Sequence, residues 1–195
     1  MKNIISIFAQ ASIAELSEGM NWYSTAQSGA LLLAQEHQIS LTKAAGVIAA
    51  LSPNLRWELN LKAADTVIRS YRLGIDPENA TCPAYKANRK KAYQVLDCNG
   101  EDNTVRAILN GQKITSFYGC IMGHDDVCID GHAKNIWAGE RMVLKNNSIN
   151  KTQYQMLTAE YRLATDAINK AYGFNLTPMQ VQAVTWVVWR RIHKI

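Results

Sequence analysis

Between residues 40 and 52 the chain reads SLTKAAGVIAALS, and within it the segment Leu41–Leu51 carries a single charge, Lys43. A helix this apolar has no polar face to offer water, so the segment predicts a central helix buried by its neighbours. Ser40 supplies the N-cap, and the small residues Ala44, Ala45, Gly46, Ala49 and Ala50 let other helices approach closely. The rest of the chain must therefore supply a jacket.

It does so with further helical periods and with no long alternating segment, repeat or low-complexity tract. Ile4, Ile5 and Phe8 suit a short N-terminal helix, and Trp22, Tyr23, Ala26, Ala30, Leu33 and Ala34 mark a helix over 21–37. Trp57 opens another, through Leu61, Ala64, Val67 and Ile68 to Leu73, and Gly74 ends it. A basic helix is predicted over 83–96, with its apolar residues on one side and Lys86, Arg89, Lys90 and Lys91 on an outer face. A short helix over 104–109, a loop over 145–148 and a long helix over Lys151–Tyr172 stopped by Gly173 follow. The last helix has a strong start, with Thr177 as N-cap, Pro178 in its first position and Gln180 in its third. Val127 and Cys128 could pair briefly as strand. The fold class read from these signals is all-α: about eight helices in two lobes with a cleft between them, residues 1–195 forming one compact protein.

Composition narrows the function without choosing it. A net charge of +5 and a pI near 9.0 favour a polyanionic partner. The N-terminal MKNIISIFAQA is too polar and too short for a secretory or membrane segment, so a cytoplasmic monomer with no membrane association is expected. Cys120, His124 and Cys128 fall at intervals of four, yet Gly123 and Asp125-Asp126 predict a turn among them. The four cysteines, with Cys82 and Cys98, are read as reduced thiols, and neither a metal nor any other cofactor is expected.

The chemistry concentrates in residues 108–138, where one lysine and one aspartate each stand at a helix start. Gly111 is expected to take the positive φ that closes one helix, and Ile114, Phe117, Tyr118 and Ile121 mark the next, with Lys113 in its first turn. A helix N-terminus disfavours a cation, which pushes an amine there towards nucleophilicity. Asp130 reads as the N-cap of a helix from Gly131 to about Gly139. A helix from Lys113 to about Met122 advances on the order of 15 Å, and the seven extended residues that follow can return roughly 23 Å, so the chain is long enough to bring the two together. An amine and a carboxylate at one site suit cleavage of an N-glycosidic bond: the carboxylate stabilises a cationic sugar and the amine attacks its anomeric carbon. The same placements also fit a solvated lysine and a plain helix cap.

Gly111-Gln112-Lys113, followed by Val127-Cys128-Ile129-Asp130-Gly131-His132, resembles the helix-hairpin-helix DNA glycosylase superfamily, which includes endonuclease III, adenine glycosylase and 8-oxoguanine glycosylase. Upstream, Ala50-Leu51-Ser52-Pro53-Asn54 and Lys62-Ala63-Ala64 are similar to the family's Leu-Ser-Ala-Gln and Lys-Ala segments, so the likeness spans about residues 40 to 140. It implies that Lys113 is the nucleophile, Asp130 the acidic partner and Asn54 the residue near the duplex gap. Arg56, Gly111, Gln112, Lys86, Arg89 and Lys90 would then contact double-stranded DNA, while Trp22 and His132 would line the substrate pocket. The hairpin Leu109-Asn110-Gly111-Gln112 is shorter than the family's usual Leu-Pro-Gly-x-Gly, and no cysteine follows Cys128 to hold an iron–sulfur cluster. The resemblance implies a DNA glycosylase with lyase activity. The alternatives are a non-catalytic DNA-binding module and an enzyme acting on another nucleoside bond. From the residues alone, Asn54 reads first as a turn residue and Trp22 as a residue of the core or its rim, while the basic helix fits a solvated face as well as a phosphate contact.

Overall fold

The structure, a computed structural model, describes residues 1–143 and 147–195. Among the described residues the chain forms ten helices and no strand: α1 (Lys2–Phe8), α2 (Ile13–Glu36), α3 (Leu41–Leu51), α4 (Trp57–Arg72), α5 (Lys86–Asp97), α6 (Asp102–Leu109), α7 (Gln112–Met122), α8 (Gly131–Ala138), α9 (Lys151–Tyr172) and α10 (Pro178–His193). The all-α expectation holds, with ten helices in place of about eight. Of the loop expected over 145–148, residues 145 and 146 lie outside the described residues. The chain divides into two compact units, one of residues 26–122 and one of residues 1–25 with 123–195.

In the 26–122 unit the apolar segment does what its composition requires. Every residue from Ala44 to Leu51 is buried, and α4, α5, α6 and α7 all pack on α3. Gly46 is the point of closest approach: a Cβ there would stand 2.7 Å from a methyl of Val105 and 2.8 Å from one of Val95. The polar groups of α3 are tied down at its ends. Ser40 accepts from the Lys43 N–H, the Lys43 ammonium donates to the Leu96 carbonyl at 2.8 Å, and buried Asn60 donates to the Ile48 carbonyl at 3.1 Å.

Proline disfavours helical conformation in the residue before it, but Ser52, which precedes Pro53, stays right-handed at φ −61°, ψ −26°. Its N–H and its hydroxyl both return to the Ala49 carbonyl, and the chain instead bends at Asn54, whose φ is +63°. Helix α5 begins at Lys86 rather than 83, because Pro83-Ala84-Tyr85 belongs to a loop that Arg89 holds from below.

In the other unit α1, α8, α9 and α10 surround a core that includes Ile4, Phe8, Ile129, Ile136, Tyr161, Ile168 and Val184. Residues 127–129 are buried but pair with no strand: the Tyr154 hydroxyl donates to the Val127 carbonyl at 2.9 Å and accepts the Ile129 N–H at 3.1 Å. One side chain thus supplies the bonds that a neighbouring strand would have offered. The start signal of α10 is realised in full, as a capping box between Thr177 and Gln180 with Pro178 in the first turn. No helix of the described residues is long and apolar enough to cross a membrane.

Candidate active-site residues

Lys113 is the second residue of α7 and is exposed, directly after a two-residue turn from α6. The turn works differently from its expected form. Asn110, not Gly111, takes the left-handed conformation, at φ +42°, and its N–H bonds the Arg106 carbonyl at 3.1 Å. Asn tolerates that region because its short polar side chain adds little steric cost, so Gly111 is free to start the next helix at negative φ. At the end of α6 the Leu109 carbonyl accepts from the Lys91 ammonium. Tyr118 of α7 donates to Asp102 at 2.8 Å and Arg106 donates to the same carboxylate at 2.9 Å, which fixes α7 against α6. Burial and the hydrogen bond to Asp102 push the Tyr118 hydroxyl well above the ordinary tyrosine range.

Asp130 belongs to the unit of residues 1–25 and 123–195, whereas Lys113 belongs to that of residues 26–122. Asp130 caps α8: its Oδ1 accepts the Ala133 N–H at 2.9 Å, as the helix start required. The buried run Val127-Cys128-Ile129, gripped by Tyr154, delivers it there. Tyr161 lies wholly buried nearby; burial holds its hydroxyl above its usual range, and the charge of Asp130 adds to this.

Around the first turns of α8 the fold collects polar groups that the sequence did not connect. His132 is half-buried and its Nδ1 is sealed from solvent with no hydrogen-bond partner among the described residues; the same is true of Trp189 Nε1 and Asn147 Oδ1. Asn147 spends its amide on the Gly131 carbonyl at 3.0 Å and on Asn135 at 2.6 Å. The Trp189 ring lies 4.0 Å from that of His193, and burial, then the charges of Arg141 and His132, hold the His193 imidazole below its ordinary range. Asp130 and His132 stand two apart in sequence, but Asn147, Tyr161, Trp189 and His193 join them only through packing of α8 against α9 and α10 and the loop before α9. No spacing rule could have found them.

The residues expected to contact DNA are placed unevenly. Asn54 is exposed in its turn, with its amide donating to the Tyr85 hydroxyl at 2.7 Å, and Arg56 is exposed at the start of α4. The basic helix departs most from expectation. Arg89, expected on the outer face, is 8% exposed, and its guanidinium donates to the carbonyls of Pro77, Glu78, Cys82 and Ala84. The loop over 74–85 folds back on α5, and its carbonyls need a donor more than the surface needs a charge. Lys91 also turns inward, to Leu109, and burial holds its ammonium below the usual lysine range. Lys86 and Lys90 remain at the surface, both paired with Glu78. Trp22 meets Tyr23 and Trp186 edge-on, at 4.9 and 6.0 Å between ring centroids. That is a packing role at the rim of the core.

No curated protein and no solved structure matches the chain. A family model does, over residues 1–193, so the chain belongs to DUF7178, a family of unknown function.

Proposed function

We propose that the protein is a DNA N-glycosylase with associated lyase activity, in which Lys113 supplies the nucleophile and Asp130 the stabilising carboxylate. The observation that carries this reading is the tight α6–α7 hairpin with Lys113 exposed in the turn immediately after it. Asp130, pinned by the Ala133 N–H and by the buried segment before it, is a rigid anionic centre suited to a developing oxocarbenium charge.

In this mechanism the target nucleotide leaves the base stack, since C1′ is not reachable inside a duplex. The Lys113 amine, in its neutral form, attacks C1′ as the C1′–N bond breaks, and the departing base carries the bonding pair and takes a proton. Ring opening gives an imine between Lys113 and the sugar, and loss of a proton from C2′ expels the 3′ phosphate.

The test is reduction with borohydride during turnover on duplexes bearing damaged or modified bases. A covalent adduct is expected from the wild type and from Asp130→Asn at reduced yield, with none from Lys113→Ala. Base release without any trapped adduct would leave a hydrolase without lyase activity; no base release from any duplex would overturn the reading.

One observation favours a second reading, the same bond cleavage on a free nucleoside. Two of the four cations of α5 are turned into the protein and the other two share Glu78, which leaves that helix little charge for phosphates. Base release from nucleosides but not from duplexes would select it.

A further inference from the structure

Within the 26–122 unit, the end of α2 and the middle of α4 bring together three side chains that sequence spacing gave no reason to associate. His37, one residue past the end of α2, is 2% exposed, and its Nε2 lies 2.7 Å from Asp65 Oδ1. One ligand atom from each of Glu36, His37 and Asp65 lies within 4.8 Å of the others. Donor atoms held at about 2.0–2.2 Å from one metal ion stand roughly 3 to 3.6 Å from each other, so small side-chain shifts suffice to close the observed spacing around an ion. The ring of His37 is fixed by burial, which removes much of the ordering cost.

The position is also cationic by design. The cluster stands at the C-terminal pole of a 24-residue helix, where the helix dipole favours positive charge. A cation already stands there: Arg69 donates to both Asp65 oxygens, at 2.9 and 3.0 Å, and to Glu36. Its side chain is 56% exposed and long enough to swing into solvent. Imidazole with two carboxylates is a donor set suited to zinc and its neighbours rather than to calcium or magnesium.

We propose that Glu36, His37 and Asp65 form a binding site for a divalent metal ion of the zinc class, with Arg69 as the resident cation that the metal displaces. The site is independent of Lys113 and Asp130 and does not rest on the glycosylase reading. Water would complete the coordination on the solvent side, and the ion would clamp the end of α2 to α4.

The experiment is titration of the untagged full chain with Co2+, followed by its visible absorption and by displacement with Zn2+. One equivalent of Co2+ with resolved d–d bands is expected in the wild type. Glu36→Gln, an exposed change that leaves the fold alone, should weaken binding on the order of tenfold or more, and Asp65→Asn should act likewise. Arg69→Ala should tighten it, because the competing guanidinium is gone. No bands in the wild type, even if Arg69→Ala binds, would show that Arg69 is a permanent structural cation and would overturn the proposal. Wild-type binding by both Glu36→Gln and Asp65→Asn would place the ion elsewhere and overturn it equally.

Discussion

Asp130 has two tasks that substitution can separate. Its Oδ1 caps α8, and its charge is the property required by a cationic sugar. Asn caps about as well as Asp, whereas Ala at an N-cap costs about 1 kcal/mol. Asp130→Asn should therefore melt like the wild type while base release slows about 100-fold or more; Asp130→Ala should lose both. Thermal unfolding and single-turnover base release on the same preparations check this, and undiminished turnover in Asp130→Asn would leave Asp130 a cap and nothing else. Arg89 poses the opposite case, a cation whose role is structural. Arg89→Met keeps the aliphatic stem but strands the carbonyls of Pro77, Glu78, Cys82 and Ala84. Buried hydrogen bonds to a charged group contribute about 1.5–3 kcal/mol, so a loss on the order of 3 kcal/mol in urea unfolding is expected. Duplex affinity of the folded variant should be unaltered. A variant as stable as the wild type would show that the loop over 74–85 does not depend on Arg89.

At the scale of helices, two glycines set how closely neighbours approach. A Cβ on Gly19 of α2 would stand 2.4 Å from Val184 Cα and 2.6 Å from its backbone nitrogen, so Gly19→Ala must push α2 and α10 apart. A Cβ on Gly46 meets methyl groups of Val95 and Val105, which can yield by small rotations. Alanine gains roughly 0.5–1 kcal/mol over glycine in a helix. Overpacking costs about 1–3 kcal/mol, so it wins at both sites, and Gly19→Ala should be the more destabilising; chemical denaturation of the two variants orders them. The same glycine explains one limit of the sequence. The helix was expected from residue 21, yet α2 starts at Ile13 and runs through Gly19, which is there to admit α10 rather than to end a helix. Signals that act within one turn were legible: Ser40, Asp130, Thr177 with Pro178 and Gln180, and Gly173 all stand where their chemistry placed them. Signals that depend on what lies opposite were not. Asn110 could replace Gly111 as the left-handed residue only because the turn is short, and Arg89 and Lys91 face inward only because a loop and a helix end present carbonyls to them. For the same reason Lys113 and Asp130 could be named from their helix starts, while Trp189, His193 and Asn147 near His132 could not.

Across the whole chain, acid should remove stability from both units. In the 26–122 unit Asp65 is held below its usual range, since its bonds to Arg69 and His37 outweigh burial, and Glu78 is lowered by its bond to Lys90. In the other unit Glu15 is lowered chiefly by Arg191, and Glu160 by the N-terminal ammonium. Each of these carboxylates binds a proton more weakly in the folded chain than in the unfolded one. The stability they contribute is thus complete above the unfolded carboxyl values of about 4 and is lost as pH falls through that range towards the lower folded values. His193, lowered mainly by burial, acts in the same direction at higher pH: the unfolded chain takes its proton first, from about pH 6.5 downward. Alkali works through other groups. The buried or hydrogen-bonded hydroxyls of Tyr71, Tyr93, Tyr118 and Tyr161 are all raised, so the unfolded chain loses these protons first as pH passes about 10 and stability falls, with Lys91 alone opposing. Unfolding free energy from urea titrations between pH 3 and 11 should therefore show a plateau near pH 7–9. A shallow decline below pH about 6.5, absent in His193→Asn, should give way to a steep one below about 4, reduced in Asp65→Asn. A profile flat from pH 7 to 3 would mean that these ion pairs form equally in the unfolded chain, and would remove them as the source of acid sensitivity.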